Sequence, residues 1–272
     1  MDITGKTAII TGAASGIGRA AAEELKKNGI GAMALVDMAD AVHEIAAKMN
    51  GANGGETIRA FQGDTTDESF RKSVFDTMRR DFGVVNICVP AAGITRDALA
   101  VRINKEKGKA NIYPIENFRQ VLEVNLIAPI YWALELVAQM AEDRFSGGLK
   151  QWVPDEGVQG VIVFIGSVSS QGNKGQISYA TGKVGLEGAA STLMKEAMYY
   201  GVRCTVIHPG FTDTPMVRAL GEDYINKHVI PATQIGRLIR PEEIADAICF
   251  LIRNSAVSGQ LWADAGWHPM PT

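Results

Sequence analysis

Two residues with complementary chemistry, Tyr179 and Lys183, stand four positions apart in the sequence. In a helix this spacing places both side chains on one face. An ammonium group beside a phenol favours the phenolate, so we expect the pKa of the tyrosine to fall below its usual value of about 10. A tyrosine tuned in this way can give or take a proton near neutral pH. The pair alone is a weak indication, and the elements around it must support it.

A glycine-rich segment, TGAASGIG at 11–18, lies between a predicted strand and a predicted helix. Glycines there permit a tight turn and a close approach of backbone N–H groups to a pyrophosphate, and the helix N-terminus adds partial positive charge. The alternative is an ordinary glycine-rich loop between a strand and a helix. The pattern favours a dinucleotide site, and the expected contacts are Gly12, Ser15, Ile17 and Gly18.

Asp37 ends the second predicted strand, 19 residues after Gly18. A carboxylate at this position can accept hydrogen bonds from the ribose hydroxyls of an adenosine, and it would repel a 2′-phosphate. No arginine or lysine occurs between Gly12 and Gly18, and Met38 follows the aspartate. These features predict NAD rather than NADP as the cofactor. The alternative is a solvated aspartate that begins a loop.

The elements that must position these residues alternate between strand and helix along the chain. Predicted strands lie at 6–11, 32–37, 57–62, 85–89, 161–167, 203–208 and 260–263, and predicted helices at 16–28, 40–50, 67–82, 118–144, 178–200 and 241–253. This alternation predicts an α/β fold, a Rossmann-type doubly wound parallel sheet of about seven strands with helices on both faces. We expect one domain over 1–272, with insertions near 101–116, as a hairpin or irregular flap, and near 146–158.

Composition excludes several other classes of protein. The chain has 272 residues and a net charge of −3, without a basic tail, which disfavours nucleic acid and anionic membranes as partners. Its apolar runs fall short of the roughly 20 residues of a membrane span. Three scattered cysteines, Cys88, Cys204 and Cys249, form no metal-ligand spacing and indicate a reducing, cytoplasmic setting. We therefore expect no metal.

Several short motifs occur together in a definite order. They are TGAASGIG at 11–18, Asp64, Ala91-Ala92-Gly93, Asn125, Ser167, Tyr179 with Lys183, and Pro209-Gly210. In this order the chain resembles the short-chain dehydrogenase/reductase family, in its single-domain NAD(P)-dependent alcohol dehydrogenase and 3-oxoacyl reductase branch. The resemblance extends over nearly the whole chain.

The resemblance implies a role for each motif residue. Tyr179 would be the general acid/base, Lys183 would hold the nicotinamide ribose, and Ser167 would support the substrate oxygen. The remaining implied contacts are Asn125 to a water in a proton relay, Thr214 to the nicotinamide carboxamide, Asp64 to the adenine, and Ala92 and Gly93 to the cofactor. Two alternatives stay open: Ser169 could take the place of Ser167, and Asn125 could simply bridge backbone groups within a helix.

The chain departs from the family pattern at two places. Pro90-Ala91 stands where the family usually has two asparagines, so local support is expected to come from backbone contacts. His208 stands where the family usually has asparagine before Pro-Gly. The histidines at 43, 208, 228 and 268 form no ligand cluster, so a packed histidine at a strand end is favoured over a metal or catalytic role.

These features together predict an NAD-dependent oxidoreductase that interconverts a secondary alcohol and a ketone. Two alternatives remain, a 3-oxoacyl thioester reductase and a non-catalytic NAD-binding sensor or scaffold. The substrate walls are expected in 95–117, 169–176 and 211–232, with Gln171, Phe211 and Met216 as candidates. Apolar residues on more than one face of the helices at 118–144 and 178–200 predict burial on a second side. In the resembling family these helices pair between subunits, so we expect a homo-oligomer, most simply a tetramer.

Overall fold

The protein is built around a seven-stranded parallel sheet. The computed structural model describes residues 1–51 and 55–267. In chain order the strands of the sheet are β1 (Thr7–Thr11), β2 (Ala32–Asp37), β3 (Ile58–Gln62), β4 (Ile87–Pro90), β7 (Gly160–Ile165), β8 (Val202–Pro209) and β9 (Gly259–Ala263). The strands β5 (Val101–Asn104) and β6 (Lys109–Ile112) form a separate hairpin. The spatial order is β3-β2-β1-β4-β7-β8-β9. The direction of strand addition reverses between β1 and β4, and ligands of open parallel sheets bind beyond the carboxyl ends of the strands at such a point. The predicted fold class is confirmed.

Helices cover both faces of the sheet because each strand alternates its side chains between two apolar cores. Ile10 and its neighbours on the same face pack with Leu25 and Ile248, whereas Ile9 belongs to the opposite core with Trp132 and Leu186. The helices are α1 (Gly16–Lys27), α2 (Ala41–Asn50), α3 (Glu68–Phe82), α4 (Ile115–Leu122), α5 (Ala128–Ser146), α6 (Ile177–Glu196), α7 (Pro215–Arg218), α8 (Glu222–Tyr224) and α9 (Pro241–Arg253).

The two expected insertions take different forms. The first contains a separate antiparallel hairpin, β5 (Val101–Asn104) and β6 (Lys109–Ile112). Tyr113, at the base of the hairpin, donates a hydrogen bond to the carbonyl of Arg96 (2.6 Å) and shares another with the Ser178 hydroxyl (2.9 Å). The hairpin is therefore tied to the start of α6, on the carboxyl side of the sheet.

The second insertion is a loop with one short 3-10 turn, Pro154–Glu156, before β7. The buried Arg144 donates two hydrogen bonds to the carbonyl of Lys150, at 3.1 and 2.9 Å, and forms an ion pair with Glu156. Trp152 donates its backbone N–H to the carbonyl of Tyr199 (2.9 Å). These contacts hold the loop at the amino edge of the sheet, away from the hairpin.

The helix predicted at 118–144 is longer than expected and is not regular. It begins at Ile115, and a π-helical turn over Glu123–Ile127 separates α4 from α5. Within the described part of the chain, this is the one helix whose length and apolar composition alone would suffice to cross a bilayer. Core helices pass the same test, and α5 packs in the core, where Trp132 is completely buried.

Candidate active site

The glycine turn predicted at 11–18 brings β1, α1 and the loop after β4 into direct contact. Gly12 has φ +67°, and a Cβ there would lie 2.8 Å from the backbone nitrogen of Ala92. A Cβ on Gly18 would lie 2.3 Å from the carbonyl oxygen of Gly12. Only glycine leaves room at both positions, so the backbone itself forms the floor of a cleft at the N-terminus of α1. Such a floor fits a pyrophosphate.

Asp37 lies at the rim of this cleft, at the carboxyl end of β2. One carboxylate oxygen accepts a hydrogen bond from the N–H of Ala14 (2.9 Å), and the other accepts from the N–H of Ala39 (3.0 Å). The two bonds fix the carboxylate between the glycine turn and the loop that follows β2. Its spare acceptor sites face a cleft that it lines together with Met38.

The cleft brings together every residue that was predicted to contact the cofactor. They are Gly12, Ser15, Ile17, Gly18, Asp37, Asp64, Ala92, Gly93, Tyr179, Lys183 and Thr214. Further residues that line it were not predicted as contacts: Met38, Thr65, Ile94, Arg96, Gln120, Val124, Ile165 and Pro215. A backbone floor for phosphates, a carboxylate at one end, and a lysine and tyrosine at the other fit a nicotinamide dinucleotide.

The departure at Pro90-Ala91 leaves the loop after β4 supported by Thr11. The N–H of Ala91 donates to the carbonyl of Thr11 (3.2 Å), and the N–H of Ala92 donates to its hydroxyl (3.1 Å). The loop after β4 is therefore held through its own backbone N–H groups, as expected. The one side chain in these two bonds is that of Thr11, which lies on the neighbouring strand β1.

Lys183 is almost completely buried beneath the loop after β4. Its ammonium donates a hydrogen bond to the carbonyl of Ile165, the last residue of β7 (2.8 Å). The same nitrogen lies 5.5 Å from the centroid of the Tyr179 ring. Burial lowers the pKa of Lys183 to about 8. The predicted pair does share one face of α6, as its spacing requires.

The expectation that Lys183 would lower the pKa of Tyr179 is wrong for this structure. Burial raises the pKa of the phenol to about 12, a hydrogen bond with the Ser167 side chain acts in the opposite direction, and the negative charge of Asp97 raises it further. Desolvation of the phenolate is the largest of these effects, and Lys183, whose ammonium is bonded to the Ile165 carbonyl, is not among the groups that shift this pKa.

Ser167 lies in the turn that follows β7. Its hydroxyl accepts the N–H of Ser169 (3.1 Å) and so caps the short 3-10 turn Val168–Gln171. The hydroxyl of Ser169, the alternative candidate, instead donates to the side-chain oxygen of Gln176 (2.8 Å). Of the two serines, Ser167 is the one whose side chain acts to lower the pKa of Tyr179.

Asn125 lies in the π-helical turn and is completely buried. Its amide oxygen accepts the N–H of Ile94, and its amide nitrogen donates to the carbonyl of the same residue, both at 2.8 Å. The side chain thus bridges backbone groups, as in the alternative. The groups belong to Ile94 in the loop after β4, however, and not to the helix that contains Asn125. The side chain positions the loop that covers Lys183.

A second cleft adjoins the first on the far side of Tyr179. It is lined by Ile17, Thr95, Asp97, Ile165, Gly166, Ser167, Val168, Ser169, Asn173, Gln176, Tyr179, Pro209, Gly210, Phe211, Thr212, Thr214, Met216, Val217 and Leu220. Two of the three predicted substrate residues, Phe211 and Met216, are among them. Tyr179, Thr214 and Met216 line both clefts, so the clefts meet at the candidate acid/base.

The third candidate, Gln171, does not line this cleft. It lies in the tight turn after Ser167 and lines a neighbouring cavity together with Trp262 and Trp267. Gln176 takes the expected place, and it donates to the carboxylate of Asp97 (2.7 Å). Asp97 lies within the predicted wall segment 95–117 but was not named as a candidate, although a charged residue soon after the fourth strand is a signal, because ligands bind at that edge of the sheet.

His208 is completely buried and packs face to face with Trp262, with ring centroids 4.2 Å apart. The packed position favoured for it is therefore observed. Histidines 43 and 228 lie elsewhere, and position 268 falls outside the described residues. Over residues 1–51 and 55–267, no group of histidine, cysteine or acidic side chains is arranged to hold a metal.

Comparisons with known proteins agree with this geometry. The sequence model of the short chain dehydrogenase family matches residues 6–225. The 3-oxoacyl-[acyl-carrier-protein] reductase FabG of Escherichia coli is 33% identical over 257 residues, covering 94% of this chain and 93% of that protein. Its namesake from Thermotoga maritima is 31% identical and covers 96% of both chains. A solved short-chain type dehydrogenase/reductase from Mycobacterium marinum has a TM-score of 0.81 at 24% identity, covering 98% of this chain and 96% of its own, which shows the fold.

The chain belongs to the short chain dehydrogenase family. The resemblance found in the sequence is thereby confirmed. The chain is an oxidoreductase that acts on CH–OH groups, and its family uses a nicotinamide cofactor.

Proposed function

We propose that the chain is an NAD-dependent oxidoreductase that interconverts a secondary alcohol and a ketone, with Tyr179 as the general acid/base. The observation that carries the proposal is the position of Tyr179, which lines both clefts and shares the second with the buried Ser167. A carbonyl oxygen within reach of both hydroxyls would receive a hydrogen bond from each, and such donors stabilise the charge that develops on it.

Each side chain near that oxygen has a separate role in the proposed reaction. In ketone reduction Tyr179 gives its proton to the oxygen, and in alcohol oxidation the phenolate takes it back. Ser167 holds the oxygen in place, and the buried Lys183, with its lowered pKa, can return a proton to the phenolate. Asn125 keeps the loop over Lys183 in position through Ile94. A nicotinamide cofactor bound in the first cleft supplies or accepts the hydride.

The choice of NAD over NADP rests on Asp37. Its carboxylate is fixed by two backbone N–H groups at the rim of the cofactor cleft, where it favours ribose hydroxyls and repels a 2′-phosphate. The neighbouring Met38 is strongly exposed and offers no positive charge to a phosphate.

A 3-oxoacyl thioester reductase is the second candidate, and the names of the relatives from Escherichia coli and Thermotoga maritima favour it. Reduction of a 3-oxoacyl group is also a ketone-to-alcohol step, so the same three residues would serve it. Apolar walls formed by Phe211, Val217 and Leu220 are compatible with an acyl chain. The two candidates therefore differ in substrate and not in the chemistry at Tyr179.

A single set of assays separates these candidates from a protein that binds NAD without turnover. Reduced-nicotinamide absorbance is followed with acetoacetyl-coenzyme A, ethyl acetoacetate and simple cyclic and linear ketones, each with NADH and NADPH, and with the matching alcohols and NAD. We expect turnover with NADH on at least one ketone, and turnover lower by a factor of about 10²–10⁴ in the Tyr179→Phe variant. Preference for NADPH would contradict the cofactor proposal. Binding of NADH without turnover on any probe would favour a sensor or scaffold.

We also propose that the chain assembles with itself, most simply as a tetramer. On α5 the core side is formed by Trp132 and its neighbours, yet Tyr131 and Leu134 are 49% and 38% exposed on the outer side. On α6 Val184 is 45% exposed. Apolar side chains outside the core stripe call for a second partner. Light scattering at micromolar concentration should report a multiple of 29.2 kDa, and a 29.2 kDa species would contradict the proposal.

A further inference from the structure

A buried histidine lies directly behind the candidate catalytic serine. Nδ1 of His208 is 3.2 Å from the backbone nitrogen of Ser167 and 3.2 Å from its carbonyl oxygen. One face of the imidazole ring packs on Trp262, with an angle of 14° between the two ring planes. A Cβ on Gly166 would lie 2.5 Å from Nδ1, so this contact depends on a glycine just before the serine.

The other hydrogen bonds of Ser167 indicate which ring nitrogen carries the proton. The carbonyl of Ser167 already accepts the N–H of Ser170 (3.1 Å) and does not need the imidazole. Among the described residues, Nδ1 of His208 is the one acceptor for the N–H of Ser167. A buried N–H without an acceptor is costly, so Nδ1 accepts and the proton resides on Nε2.

The surroundings of Nε2 favour the same tautomer. This nitrogen is buried and has no hydrogen-bond partner within the described part of the chain. A carboxylate oxygen of Glu187 lies 3.8 Å from Nε2, while the other oxygen of Glu187 accepts from Gln260 (3.1 Å). An Nε2–H group is attracted by that carboxylate, whereas a lone pair at Nε2 would be repelled.

We propose that His208 is a positioning residue, whose Nδ1 accepts the backbone N–H of Ser167 and so fixes the serine hydroxyl against Tyr179 and the substrate oxygen. The proposal rests on the proposed function, because Ser167 supports the substrate oxygen only in that reaction. The bond acts on the peptide group between Gly166 and Ser167, and this group sets the direction in which the Ser167 side chain leaves the backbone.

Burial keeps His208 in the neutral form that the bond requires. Lys183 and Glu187 face it from α6, the polar groups of Ser167 from the loop after β7, and Gln260 from β9. Burial lowers the pKa of His208 below its usual value, and the positive charge of Lys183 acts in the same direction. The backbone of Ser167, the carboxylate of Glu187 and the side chain of Gln260 oppose this shift. A protonated ring would have no acceptor to offer, so the bond to Ser167 is lost in acid.

Two matched variants test this role through activity. In His208→Asn the side-chain oxygen stands two bonds from Cβ, as Nδ1 does, and can accept the same N–H. In His208→Phe the ring that stacks on Trp262 is kept and the acceptor is lost. With ethyl acetoacetate and NADH we expect kcat to fall about tenfold or more in His208→Phe. We expect it to stay within about threefold in His208→Asn, with NADH affinity similar in both. Equal kcat values in the two variants would overturn the proposal.

A second measurement tests the bond between the Ser167 N–H and Nδ1 of His208 without turnover. It is made on the parent chain, so it remains informative if His208→Phe does not fold. Long-range proton–nitrogen correlation spectra of the full chain, labelled with nitrogen-15 in its histidine rings, report the tautomer, and His208→Asn identifies the signal. We expect Nε2–H with an unprotonated Nδ1. An Nδ1–H tautomer at neutral pH would overturn the proposal. A parent chain that turns over no probe would instead contradict the proposed function, and the tautomer would still decide the bond to Ser167.

Discussion

The two clefts that meet at Tyr179 are built in different ways. The cofactor cleft has a floor of backbone, where Gly12 leaves no room for a Cβ against Ala92. The substrate cleft is walled by side chains from separate loops, such as Asp97, Gln176 and Phe211, and its polar members are linked by hydrogen bonds. A cleft made of backbone requires particular residue types at fixed spacing. A cleft made of side chains can change its residues one at a time.

This contrast predicts which substitutions act on binding and which act on the reaction. Changes in the cofactor cleft should alter cofactor affinity and choice with any substrate. Changes in the substrate cleft should alter substrate preference or pH dependence with the cofactor still bound. Tyr179, which lines both clefts, should affect the chemical step itself.

Tyr179→Phe tests the junction and should have the largest effect. The ring remains and the transferable proton is lost, so turnover should fall by a factor of about 10²–10⁴, the usual contribution of a general acid/base. NADH affinity, measured by fluorescence titration, should change little because the floor of the cofactor cleft is untouched. Turnover within a factor of two of the parent would contradict the assignment.

Asp37→Ala tests the cofactor cleft. Loss of a charged acceptor for ribose hydroxyls should lower kcat/KM for NAD by about 10- to 100-fold. Relative use of NADP should rise, because the repulsion of a 2′-phosphate is removed. Steady-state kinetics with both cofactors give the ratio. A parent enzyme that already prefers NADP would show that the interpretation of Asp37 is mistaken.

The two insertions lie at opposite edges of the sheet, the hairpin at the carboxyl edge with the clefts and the loop at 146–158 at the amino edge, and we expect them to affect different properties. Replacing residues 102–111 by a Gly-Ser link keeps Tyr113 and its bonds but removes the hairpin beside the substrate cleft. We expect KM for the ketone probe to change by about fivefold, which corresponds to roughly 1 kcal/mol of contacts.

Shortening the loop at 146–158 is the matched control. It should leave KM and kcat unchanged but lower the melting temperature by about 3 °C or more, because Arg144 loses Glu156 and the carbonyl of Lys150. A reversed pattern, with KM altered by the loop and not by the hairpin, would contradict the placement of the active-site edge.

Asp97→Asn should have the smallest effect, on pH dependence alone. The Asp97 carboxylate helps to raise the pKa of Tyr179, and asparagine keeps an acceptor for Gln176 without the charge. Alcohol oxidation needs the phenolate, so its rate rises with pH, and the rise should move to lower pH in this variant. Asp155→Asn, in the loop at the opposite edge, is the control and should leave the profile unmoved. An unchanged profile in Asp97→Asn would contradict the influence of Asp97 on Tyr179.

Much of the fold was predictable because it depends on local patterns. The strands and helices of the main sheet lie within a few residues of their predicted bounds, and Asp67 caps α3 as its type suggests, accepting the N–H of Phe70 (2.9 Å). The π-helical turn at Asn125 was not predictable, because the residues around it carry no local signal for it. It arises where Asn125 bonds to the backbone of Ile94, 31 residues earlier in the chain.

The sequence by itself determined the class of fold, the family, the glycine turn, Asp37, and the Tyr179–Lys183 pair. In each case the physical requirement acts through residue type and short spacing, which a sequence displays directly. Only the tertiary structure decided that Lys183 bonds to the Ile165 carbonyl, that the pKa of Tyr179 is raised, that Gln171 turns away, and that His208 meets Ser167. These outcomes depend on burial and on contacts between strands far apart in the chain, and both are set only when the sheet is assembled.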